Sequence, residues 1–156
     1  MLRFIFKTEK KEVLENLKYY GIKEIPYLLT ISGKDKVRAY SGDLSNEEIV
    51  EFDKQVGIEL LGMYFFHLYD NQIRLSFDAV QLLKNQITEN VIEIDEKQAV
   101  EFFRGQDILL DEKDKEKFKG ETLGFKVIKF SNDLIGTGKL TADRIVNYLP
   151  KERRVK

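Results

Sequence analysis

The chain has 156 residues, a formal net charge of −1, 42% hydrophobic and 34% charged residues, and no cysteine or tryptophan. That length and apolar content fit one ordinary domain or two small ones with a folded core, which argues against a disordered chain. Without cysteine there can be no disulfide, no thiolate nucleophile and no cysteine-ligated metal.

The opening run, MLRFIFKTEKKEV, reaches Lys and Glu too soon for a signal-peptide core, and no apolar stretch is long enough to span a bilayer. A soluble, cytoplasmic protein with no membrane partner is therefore expected. Residues 8–20 read as a helix, with Thr8 as its N-cap, Val13, Leu14 and Leu17 on one side, and Gly21 as its stop. YLLTIS and VRAYSG flank the turn residues GKDK and predict a hairpin. Ser45 and Glu48 have capping-box spacing for a helix over about 46–55, closed by Gly57. IELLGMYFFHLYDNQIRLSF reads as a long strand, a turn at Asp70-Asn71 and a return strand. Around Leu82, Leu83 and Ile87 the pattern admits a helix or a strand.

After Asn90 the pattern restarts. VIEI is a short strand, Asp95 is placed to cap EKQAVEFFR, Gly105 to stop it, and DILL returns to strand. DEKDKEKFKGE alternates charge with almost no apolar content and reads as a solvated loop. GFKVIKF and LIGTGKL are strands around Ser131-Asn132-Asp133, and RIVNYL is a third. The expectation is an α+β protein divided near residue 90, with an α/β unit over 1–90 and a compact, strand-rich unit over 91–156.

Charge is unevenly shared. From residue 123 onward eight Lys and Arg face three acids, a local balance of +5, so the preceding residues carry −6. A basic end on an acidic body fits attraction of an anion such as nucleic acid at one face; a solubilising tail fits the charge equally well.

The tetrapeptide Gly136-Thr137-Gly138-Lys139 invites a nucleotide-binding reading, which fails. A P-loop needs a glycine five residues before Gly138, where Asp133 stands, and a Ser or Thr after the lysine, where Leu140 stands. Glycines alternating along a strand instead mark a bulge, a tight bend or the close approach of another backbone. The single histidine, His67, has no second histidine to complete a zinc site, and the carboxylates form no specific acid/base pair. Tyr64, Phe65, Phe66, Tyr69 and Phe77 offer either a base-stacking surface or ordinary core, and packing is the commoner use of such a cluster.

In order along the chain, AVEFFRGQDILL, GFKVIKFSNDLIGTGK and RIVNYLPKERRV resemble a PUA domain, the small pseudo-barrel RNA-binding fold named after pseudouridine synthases and archaeosine transglycosylases. The family's Arg-Gly after a short helix corresponds to Arg104-Gly105, and its Gly-x-Gly to Gly136 and Gly138. Gly-Lys, then a basic Arg, then Asn-Tyr-x-Pro-Lys is similar to the PUA-like domain of the Sun/Fmu family of RNA cytosine-5 methyltransferases over residues 91–155. The catalytic half of those enzymes has no counterpart in these residues. The resemblance is to stand-alone archaeal-type proteins in which a small α/β pre-PUA domain precedes the PUA pseudo-barrel, a plan shared by a large-subunit ribosome-assembly factor.

This resemblance implies a non-catalytic protein that binds structured tRNA or rRNA during RNA modification or ribosome biogenesis. Its implied partners are that RNA and ribosomal proteins or an RNA-modifying enzyme, and it implies no cofactor or metal. The RNA would lie between the Arg104-Gly105-Gln106 loop and the last strand. Lys139, Arg144, Lys151, Arg153 and Arg154 supply cations suited to a phosphate backbone, and Arg144 and Asn147 side-chain hydrogen bonds. A protein-interaction adaptor in ribosome assembly or translation, using the barrel as a docking surface, is the alternative.

Overall fold

A computed structural model describes residues 2–156. Their ten strands form two five-stranded sheets, accompanied by five α-helices. In the first half these are β1 (Arg3–Phe4), α1 (Lys7–Leu17), β2 (Leu28–Ser32), β3 (Lys36–Tyr40), α2 (Asn46–Val56), β4 (Met63–Tyr69), β5 (Gln72–Leu75) and α3 (Phe77–Leu83). The strands pair antiparallel in sequence order, each hydrogen-bonded to the next. Leu29 lies opposite Ala39 and Phe66 opposite Leu75, so alternation puts these side chains into a core shared with Val13 and Leu17 of α1 and Leu83 of α3.

Local chemistry explains most element ends. Ser45 and Glu48 form the expected reciprocal capping box, and α2 ends at Gly57 with φ 67°. Of the segment that admitted helix or strand, Leu82 and Leu83 are helical, closing the α3 that Ser76 starts by accepting from the Ala79 N–H at its Oγ, while Ile87 lies beyond the turn that follows. Thr8 does not cap α1. The N-cap is Phe6, which makes no side-chain cap bond; its carbonyl accepts from Glu9 and Lys10, and its ring stacks on Phe4 at 5.6 Å.

The second half comprises β6 (Val91–Glu93), α4 (Glu96–Phe103), β7 (Ile108–Leu109), α5 (Glu112–Lys117), β8 (Gly124–Phe130), β9 (Asp133–Leu140) and β10 (Arg144–Asn147). Their order across the sheet is β6-β8-β9-β10-β7, with β6 parallel to β8 and the remaining pairs antiparallel. The run expected to be a loop holds α5 instead. Asp111 and Asp114 cap it reciprocally, and Phe118 just beyond it is buried and anchors it to the second core. Inside that core Phe102 of α4 packs with Ile92, Ile128 and Ile145.

Both glycines of the GTGK strand answer to this packing. A Cβ on Gly136, whose φ is 146°, would stand 3.2 Å from the Phe102 ring; one on Gly138 would stand 2.7 Å from an Ile145 methyl and 3.0 Å from the Val146 carbonyl. They are small because α4 and β10 press on β9.

The outer face of the second sheet packs against the first half. Val127 enters the first core, Thr137 Oγ1 donates to the Leu75 carbonyl at 3.0 Å, and Gln81 donates to the Leu134 carbonyl at 2.7 Å. Lys126, one of the eight basic residues of the C-terminal stretch, is fully buried at this seam beside Asn90, Thr122 and Glu121. It contributes nothing to a basic surface.

Candidate nucleic-acid interface

α4 ends at Arg104, and Gly105 then takes the left-handed conformation at φ 81°. The turn lets the Gly105 and Gln106 N–H groups donate to the carbonyls of Phe102 and Glu101, satisfying the end of the helix. Asn147 of β10 holds it in place: its side-chain nitrogen donates to the Phe102 carbonyl at 2.8 Å and the Gln106 carbonyl at 2.9 Å, while its side-chain oxygen accepts from the Leu149 N–H at 2.7 Å. Both side-chain N–H donors of Asn147, expected to bond a ligand, are thus used inside the fold, where they position the Arg104 loop.

The C-terminal tail crosses this loop. Arg154 Nε donates to the Leu149 carbonyl at 3.1 Å, and the Val155 N–H donates to the Phe103 carbonyl at 2.8 Å. A Cβ on Gly105 would collide with the Arg154 side chain, so the glycine is what lets the arginine lie flat on the turn. Arg104, Gly105, Gln106 and Arg154 therefore come together, with exposed Lys151 in the 3-10 turn that leads into them.

The remaining expected residues lie elsewhere. Arg153 turns toward α3, with its guanidinium 5.0 Å from the Phe77 ring and 3.4 Å from Asp78. Arg144, at the start of β10, pairs with Asp143 at 3.3 Å and Asp107 at 3.7 Å. The Arg144 hydrogen bond, with one from Thr141, holds the Asp143 carboxyl below its usual range. Lys139 lies opposite Val146 on the outer sheet face, its ammonium 5.7 Å from the Phe125 ring.

Among the described residues no group of three or more His, Asp or Glu is placed to hold a metal, and no helix is long and apolar enough to cross a membrane. His67 Nδ1 is buried without a hydrogen-bond partner, and burial, then Arg74, pushes its pKa down. A cleft of about 280 Å³ opens at the seam between Tyr19, Ile73 and Phe125. Arg74 sits 4.2 Å from the ring of Tyr148, and no local signal in the sequence connects residues so distant in the chain.

Residues 89–155 match the family model described as the methyltransferase RsmF PUA domain. A solved structure described as a conserved PUA domain protein from Thermoplasma acidophilum is similar at a TM-score of 0.57 and 19% identity, covering 97% of this chain and 95% of that one. No curated protein matches the sequence. The resemblance drawn from Arg104-Gly105, Gly136-x-Gly138 and the Asn147-to-Lys151 run is borne out: residues 89–155 are similar to a PUA domain, within a mixed α and β chain whose fold is that of a solved PUA domain protein.

Proposed function

We propose that this chain, similar to a PUA domain over residues 89–155, binds structured RNA where its tail crosses the end of α4. The observation that carries the reading is the meeting of Arg104, Gly105 and Arg154: an open turn with a guanidinium laid across it and Lys151 beside it. Cations at such a turn suit phosphates and 2′-hydroxyls, the groups through which folded RNA presents its shape. Arg104, Gly105, Gln106 and Lys151 form the first contact, Arg154 holds the surface in shape, and Lys139 and Arg144 extend it over the second sheet. Residues 1–90 and 91–156 act as two units, and the protein works by binding, in the cytoplasm, on tRNA or rRNA during modification or ribosome assembly.

The test is the affinity for tRNA or an rRNA hairpin across a salt series. The logarithm of affinity falls linearly with that of salt concentration, and Arg104→Ala or Lys151→Ala each makes the slope shallower by about one. Salt-insensitive binding, or none to any structured RNA, sinks the reading.

A second reading, a docking role for the N-terminal unit, draws support from α2. Ile49 is its one buried side chain, whereas Phe52 and Val56 are 53% and 59% exposed, among Glu47, Glu48, Glu51 and Asp53. An apolar stripe with an acidic rim suits a basic, partly apolar protein segment such as those of ribosomal proteins. Association with a purified ribosomal protein that survives ribonuclease and is lost in Phe52→Asp supports this role; loss on ribonuclease treatment opposes it.

A further inference from the structure

Arg153 shares a 3-10 turn with Lys151, yet its guanidinium lies across the seam on the first half of the chain. It rests 5.0 Å from the Phe77 ring, and its Nη2 stands 3.4 Å from the Asp78 carboxylate. The two side chains are 51% and 47% exposed, so water and salt screen the pair. Arg144 is held differently. Its partner Asp107 accepts from the Asn147 N–H at 2.9 Å, and its partner Asp143 accepts from the Thr141 hydroxyl at 3.0 Å, so the fold fixes both acids. Asp78 has no such anchor: among the described residues its carboxylate accepts from Arg153 alone.

A single exposed ion pair is weak, whereas a guanidinium and a phosphate form a charge-assisted, often two-pronged contact. The flat guanidinium carries five donors, and Asp78 takes only one of them. Arg153 can therefore trade one anion for another while keeping its seat on the Phe77 ring. A phosphate held at Lys151 brings its neighbours on the same backbone to Arg153 at high local concentration, which tilts the trade toward the polymer. We propose that Asp78 withholds Arg153 from the RNA surface and yields it to a phosphate of bound RNA. The acid is thus a built-in competitor that weakens binding and ties the two halves together until RNA arrives. This rests on the RNA-binding reading above and names a residue that regulates the same surface.

The experiment measures the affinity of the full chain for labelled tRNA by fluorescence anisotropy in four forms: wild type, Asp78→Asn, Arg153→Ala and the double variant. Asp78→Asn binds about threefold more tightly, within what one exposed ion pair supplies, and its salt slope steepens by up to about one. In the Arg153→Ala background the same substitution changes neither affinity nor slope. An Asp78→Asn affinity equal to or below that of the wild type overturns the proposal, since the pair then only fastens the halves. A gain that persists without Arg153 also overturns it, because removing any negative charge would have the same effect. Either result leaves the RNA-binding reading standing, as the wild type still binds tRNA. Failure of every form to bind overturns both.

Discussion

Lys126 donates its fully buried ammonium to the Asn90 side-chain oxygen at 2.6 Å. Asn90 also takes φ 55°, donates its side-chain amide to the Tyr19 carbonyl, and accepts from the Val127 N–H. One residue at the junction of the two sheets thus partners a buried charge and ties the 3-10 turn that follows α1 to β8.

Asn90→Ala is expected to cost about 3 kcal/mol, because it strips a partner from a buried ammonium and places alanine at positive φ. Lys126→Met, which removes the charge itself, is expected to be near neutral or stabilising. Urea denaturation midpoints of the two variants check the contrast. Equal losses would mean that packing around the lysine stem, rather than its buried charge, sets the cost.

Gly105→Ala combines positive φ with a collision against the Arg154 side chain. The expected loss is about 2 kcal/mol, with RNA affinity falling as the tail lifts off the turn. Gly120→Ala is the control: a Cβ there meets nothing within 4 Å, and its effect stays within about 0.5 kcal/mol. Thermal melts and the RNA titration measure both.

Asn147→Ala removes two hydrogen bonds that tie the end of β10 to the end of α4 and its turn, and a third to the Leu149 N–H just beyond β10. At about 1 kcal/mol each the expected destabilisation is about 3 kcal/mol. Measured where the variant remains folded, the salt slope of RNA binding is unchanged, because the Asn147 amide touches protein rather than RNA. A shallower slope would contradict this placement.

His67 is the only histidine, and its pKa is lowered by burial and by Arg74. Between the folded and unfolded values the unfolded chain binds more protons, so stability falls as pH drops below about 6.5. Denaturation midpoints from pH 7.5 downward show the decline beginning near that pH. His67→Gln removes this component; an unchanged profile in the variant would assign the decline to other groups.

The features legible in the sequence were those whose partners lie within a few residues. Ser45 with Glu48, Asp95 before its helix, and the glycine stops at 21, 57 and 105 mark their elements by position alone. α5 escaped because its capping pair is Asp111 with Asp114 rather than the usual Ser or Thr with Glu, within a run whose charges resemble a loop. Thr8 looked like a cap, but Phe6 stacking on Phe4 started α1 earlier.

At the candidate site the sequence itself determined the composition: a basic end, an Arg-Gly after a helix, and glycines that reject a P-loop. Tertiary structure alone decided how those residues are used. It buried Lys126, drew Arg154 onto Gly105, occupied Asn147 and sent Arg153 to Asp78. The same packing brought Arg74 and Tyr148 together. Helix caps and strand alternation follow from the 3.6- and two-residue periods of the local chain, whereas a side chain's exposure and partners depend on which distant segment packs against it.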